Sequence, residues 1–148
     1  DLRGIDAAAA SALLAAAALL ELGHLLGETR YLDTAEKTLK AAWSSIERYP
    51  SAHNTLIHAL EDYLQPPRQV IIRAGAAELP AWRRQAQLLA PPLTRIYPIP
   101  AAAAALPGML NDRRAGNTPV AYICAGHQCL APVTTLDLLA ENLKNSQA

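Results

Sequence analysis

The sequence predicts an α/β chain: helical hairpins over residues 1–64, then a small three-stranded, mainly parallel sheet with flanking helices over 65–148. Three observations predict it. The apolar spacing is helical in the first half and changes to short apolar runs in the second. The change falls at Gln65-Pro66-Pro67. The charge balance breaks there too: nine acids and five bases before it give −4, four acids and eight bases after it give +4.

Three helices are expected in the first half. Asp6 is placed to cap the first, which runs to about Leu26 and is dominated by Ala, the best helix former. Its apolar surface is broad enough to require burial on several sides. Gly27 suits a helix-ending position. The second helix starts near Thr29 and aligns Tyr31, Leu32, Ala35, Leu39, Ala42, Trp43, Ile46 and Tyr49 on one face; Pro50 closes it. Ser51 is placed to cap the third, which carries Leu56, Ile57, Leu60 and Leu64. Short links imply antiparallel neighbours.

In the second half, Gln69–Ala74 reads as a buried strand ended by Gly75. Glu78-Leu79-Pro80 opens a helix running to about Leu89, with proline in its first turn. Leu93–Tyr97 is the second strand, Ala101–Leu106 a helical piece and Val120–Cys124 the third strand. Asn111–Asn117 reads as a polar loop. Thr134-Thr135-Leu136-Asp137 has capping-box spacing before a final helix with Leu136, Leu139 and Leu143. Strands alternating with helices predict parallel pairing through right-handed crossovers.

Composition excludes several functions. Thirteen basic and thirteen acidic residues leave no cationic excess for a nucleic-acid backbone. The apolar run Ala7–Leu20 is shorter than the roughly 20 residues that span a bilayer, so no membrane role is expected. Two cysteines exclude a disulfide-stapled scaffold. The 31 Ala and ten Arg against three Lys suit a GC-rich bacterial genome. The first residue is Asp1 rather than Met, which suggests a processed form or an excised fragment.

The most pointed chemistry is Cys124-Ala125-Gly126-His127-Gln128-Cys129. Three readings stand open. Cys124 and Cys129 are buried structural thiols. Alternatively they form a disulfide or redox pair, since a Gly-containing loop brings Cα atoms to about 5.5 Å. In the third reading they bind zinc with His127, although three local ligands fall short of the four of a structural site. His53 and His58, five apart, project about 140° apart and do not share a metal; His24 lies on the first helix. Glu61-Asp62 is the one adjacent carboxylate pair and does not converge on a helix. Gly75 lacks the further glycines of a phosphate loop. Arg83-Arg84 and Arg113-Arg114 read as solvated pairs, and Trp43 and Trp82 as core or interface packing residues. No catalytic residue and no cofactor are expected.

Thr118-Pro-Val-Ala-Tyr-Ile-Cys124, then Cys129-Leu-Ala-Pro132-Val-Thr134 and a Leu-rich helix, resembles the C-terminus of the bacterial YyaL family, whose animal relatives are called spermatogenesis-associated protein 20. Leu22-Gly-His-Leu-Leu-Gly27 with Tyr31-Leu32 and Ala35-Glu36 resembles that family's last helical hairpin, and Pro66–Gly75 its strand ending in glycine. The resemblance implies a thioredoxin domain-containing protein with an α/α toroid similar to six-hairpin glycosidases. This chain would then be its non-catalytic C-terminal module: the last toroid hairpins plus an appended α/β unit, in the cytoplasm. Its partners would be upstream domains of the same protein, with self-association of the fragment expected. The alternatives are a redox or metal module using Cys124 and Cys129, or the part that closes the pocket of a sugar epimerase-like enzyme. Where the family carries Pro-Ser-Gly-Asn, this chain has Gly4-Ile5-Asp6-Ala7, which removes polar groups that would line such a pocket.

Overall fold

A computed structural model describes residues 7–48, 54–126 and 128–145. The expected caps Asp6 and Ser51, the stop at Pro50, and Tyr49, His53 and His127 lie outside the described residues. The chain divides into two compact units, Asp1–Pro66 and Pro67–Ala148.

The first unit holds α1 (Ala7–Leu26), α2 (Thr29–Arg48) and α3 (Asn54–Leu64). α1 ends where predicted. Gly27 takes φ 70°, and the Glu28 N–H donates to the Gly23 carbonyl at 3.0 Å, the six-to-one bond of a Schellman motif. A side chain at Gly27 would cost about 1–2 kcal/mol in that left-handed conformation. α1 packs along both α2 and α3 around buried Ala16, Leu20, Ala35, Leu39 and Ala59. Small residues at these contacts let helix backbones approach closely. A Cβ built on Gly23 would stand 2.5 Å from Leu32 Cδ2. Burying Leu20 completely contributes about 1.5–3 kcal/mol.

The second unit holds β1 (Arg68–Ala74), α4 (Leu79–Leu89), β2 (Arg95–Pro100), a 3-10 turn (Gly108–Asp112), β3 (Val120–Ala125), β4 (Gln128–Cys129) and α5 (Leu136–Lys144). The sheet has four strands in the order β2-β1-β3-β4. Only β1 and β2 are parallel; β1–β3 and β3–β4 are antiparallel. This corrects the expectation of three mainly parallel strands.

The correction has a local cause. A parallel pairing of β3 would need a crossover element after β2, and the helical piece expected at Ala101–Leu106 does not form. The Arg73 guanidinium takes the carbonyls of Ala101 and Ala103, at 3.3 and 2.7 Å, and Ala105 adopts φ 54°. Both compete with a helical ladder, and alanine propensity alone does not outweigh them. β2 also begins later than expected. Leu93 takes φ 63°, which extended backbone excludes, so pairing starts at Arg95 and continues through Pro98 and Pro100. Proline is tolerated because β2 is an edge strand.

Strand alternation divides the sheet into two faces. Val70, Ile72 and Ala74 of β1 and Ala121 and Ile123 of β3 pack with Trp82 and Ala86 of α4 and Leu139 and Leu143 of α5. Val133, bridged to Ala121 as the chain passes β3 again, completes this core. The opposite face carries Gln69, Ile71 and Arg73 on β1, facing Cys124, Tyr122 and Val120 on β3. Of the two tryptophans, Trp82 packs in the core and Trp43 is 46% exposed.

Candidate functional site

Cys124 and Cys129 are joined in a disulfide with their Cα atoms 4.0 Å apart. The pairing follows from a hairpin that the sequence shows only faintly. Gly126 at φ 56° follows Ala125, which pairs with Gln128 across the connection. Positive φ at the first connecting residue is what a tight hairpin turn demands, and glycine takes it at no steric cost. Cys129 then stands directly opposite Cys124. The Leu130 N–H donates to the Ile123 carbonyl at 2.9 Å, one residue outside that pair. Cys124 and Cys129 are therefore a non-hydrogen-bonded pair, the class whose Cα atoms lie closest, near 4.5 Å.

The two sulfurs have different surroundings. Cys124 is 5% exposed and sits on β3, whereas Cys129 is exposed on the two-residue edge strand. The Arg113 guanidinium donates to Cys129 Sγ at 3.1 Å and lies over the Tyr122 ring, 5.6 Å from its centroid. The Tyr122 hydroxyl donates to the Arg114 carbonyl at 2.9 Å, and Arg73 donates to the Arg113 carbonyl at 3.2 Å. The sheet thus grips the 113–114 backbone from two strands and holds Arg113 on the exposed sulfur. Gln69, opposite Cys124 on β1, is buried, and its Nε2 has no hydrogen-bond partner among the described residues.

Arg113 and Arg73 were not legible as site residues. Arg113-Arg114 reads as a solvated pair until the hairpin brings Cys129 beside it. With both sulfurs in a disulfide, neither is the free thiol of the first reading nor the thiolate a zinc site needs. Among the described residues no three His, Cys, Asp or Glu side chains gather as a metal site, and His127 lies outside them. His58 pairs with Glu61 at 3.1 Å on exposed helix surface. Gly75 ends β1, and its carbonyl accepts from Glu78 and Leu79 at the entry to α4. A Cβ there would meet Glu78 Oε2 at 2.7 Å, so an acid occupies the turn where a phosphate loop would need open donors. Arg83 and Arg84 line an open concavity of about 420 Å³ with Leu79, Pro80, Gln87 and Pro98.

The helical unit offers a second candidate surface. Leu14 is 64% exposed and Leu64 67%, with Leu22 and Trp43 also exposed. A shallow apolar concavity of about 300 Å³ lies between α2 and α3, lined by Leu39, Trp43, Leu60 and Tyr63 with Glu36 and Lys40 at its edge. Lys40 donates to Glu36 at 2.6 Å. That hydrogen bond, helped by one from the Tyr63 hydroxyl, holds the Glu36 carboxyl below its ordinary range and Lys40 above its own. Donating to the carboxylate likewise pushes the Tyr63 phenol up. Among the described residues no helix is long and apolar enough to cross a membrane.

No protein family, curated protein or solved structure matches the chain.

Proposed function

We propose that the chain is a non-catalytic C-terminal module of a cytoplasmic thioredoxin domain-containing protein of the YyaL type. Its helices pack against further helices of an α/α toroid. The observation that carries this reading is the apolar surface that α1, α2 and α3 leave uncovered. α1 is apolar on nearly every side, yet only Ala16, Leu20 and Gly23 among its described residues are buried, while Leu14 and Leu22 are exposed, as are Trp43 and Leu64 of the other helices. A helix apolar all round is built to be surrounded. Large outward apolar residues grouped on one small unit mark a surface that meets another protein surface. The motif order from Leu22 to Thr134 supports the same reading.

The isolated 148-residue chain is expected to bind an apolar fluorescent dye and to self-associate at micromolar concentration, read by sedimentation velocity. Restoring the helices of the parent protein that precede it should abolish both. A strictly monomeric chain that binds no dye refutes the packing role.

A further inference from the structure

We propose that Cys124–Cys129 is a thiol–disulfide exchange site entered at Cys129, that its substrate is a dithiol reductant, and that Arg113 stabilises the Cys129 thiolate. This goes beyond the packing role and rests only on the α/β unit.

Exchange requires a thiolate to reach one sulfur while the other departs. Cys124 is 5% exposed and shielded within the sheet; Cys129 lies on the open edge. The incoming thiolate therefore attacks Cys129 Sγ. A bond forms between the substrate sulfur and Cys129, and the Cys124–Cys129 bond breaks. Its electron pair leaves on Cys124 Sγ, which takes up a proton. Gln69, buried and with its Nε2 unpartnered among the described residues, is the residue registered opposite Cys124 on β1. The second substrate thiolate then attacks the substrate sulfur of the mixed disulfide. The substrate leaves as its own disulfide, oxidised by two electrons, and Cys129 departs as a thiolate. Arg113, already donating to Cys129 Sγ at 3.1 Å, faces the charge that develops there. A guanidinium beside a sulfur favours the thiolate, the form that both leaves and attacks. In the reverse direction the reduced pair attacks a disulfide through Cys129, and Cys124 resolves the product.

Two observations separate this from a purely structural crosslink. The bridge joins residues only five apart in sequence, within a hairpin that β3 already pairs to the sheet. And Arg113, the charged side chain placed on the bridge among the described residues, is held there by the Tyr122 ring and by hydrogen bonds that the Arg73 and Tyr122 side chains donate to the 113–114 backbone.

The test uses the whole chain in its oxidised form. Native protein is incubated with reduced glutathione, a monothiol that arrests the first step, quenched with acid and mapped by mass spectrometry. The expected adduct is on Cys129, with Cys124 free. After reduction by dithiothreitol, Cys129 should be alkylated by iodoacetamide at neutral pH faster than an ordinary thiol. Arg113→Gln should slow that alkylation about tenfold, and Arg113→Lys should retain most of it. Far-UV circular dichroism and urea titration verify that each variant is folded. Glutathione on Cys124, reaction only under unfolding conditions, or equal rates for wild type and folded Arg113→Gln would each overturn the proposal.

Discussion

Arg73 is 4% exposed, in the strand with the greatest share of the core, and no carboxylate pairs with it among the described residues. Its guanidinium instead donates to three carbonyls, of Ala101, Ala103 and Arg113, which belong to a segment with little regular structure of its own. A buried charge is tolerated when it is hydrogen-bonded; here Nη1 and Nη2 donate, while Nε has no partner among the described residues, and the bonds replace the ladder that the segment lacks. Arg73→Met keeps most of the side-chain volume but leaves those carbonyls without a donor. The expected cost is about 2–4 kcal/mol by urea unfolding, since hydrogen bonds to charged groups are worth about 1.5–3 kcal/mol and do not add fully. Because Arg113 is one of the three, Cys129 alkylation should slow as well. A neutral Arg73→Met would mean that the segment holds itself. None of this was legible in the sequence. Arg73 ends an apolar run as a solvated charge would, and its partners lie 28 to 40 residues away. The two cysteines were legible as candidates because their chemistry is local. Their cation was not, because only the fold brings it there.

At the scale of elements, legibility followed the range of the forces involved. α1 and α4 end or begin at their predicted residues because glycine and proline act within one turn. The elements after Ala74 drifted where long-range contacts decided. Alanine propensity at 101–106 yielded to Arg73, and β4 is too short to show any period. α5 shows a smaller displacement. The capping-box spacing placed the cap at Thr134, whereas Thr135 is the N-cap: its Oγ1 accepts from the Leu138 N–H at 3.2 Å. Its extended backbone at φ −132° and ψ 153° presents the hydroxyl to the first turn, and Asp137 sits in that turn near the positive end of the helix dipole. Thr135→Ala should therefore destabilise the α/β unit by about 1 kcal/mol, and Thr134→Ala should change little. Equal effects in thermal unfolding would return the cap to the register read from sequence.

Across the whole molecule, two separate cores make two separate claims about stability. The unit Pro67–Ala148 buries β1, β3, α4 and α5 residues in one continuous cluster and has helices over one sheet face. Among the described residues, the unit Asp1–Pro66 centres on three alanines and two leucines, and it leaves Leu14, Leu22, Trp43 and Leu64 exposed. The first should fold when excised, and the second should fold only by association. The disulfide does not alter that ranking. Closing so short a loop removes little chain entropy from the unfolded state, about 2 kcal/mol in the loop-closure view. Excised Pro67–Ala148 should thus unfold in one cooperative urea transition both oxidised and reduced, with the reduced midpoint lower. Excised Asp1–Pro66 should show helicity that rises with protein concentration. If reduction abolished the transition of Pro67–Ala148, the bridge would be a structural requirement of the sheet, and a bridge that must stay closed cannot cycle with a dithiol.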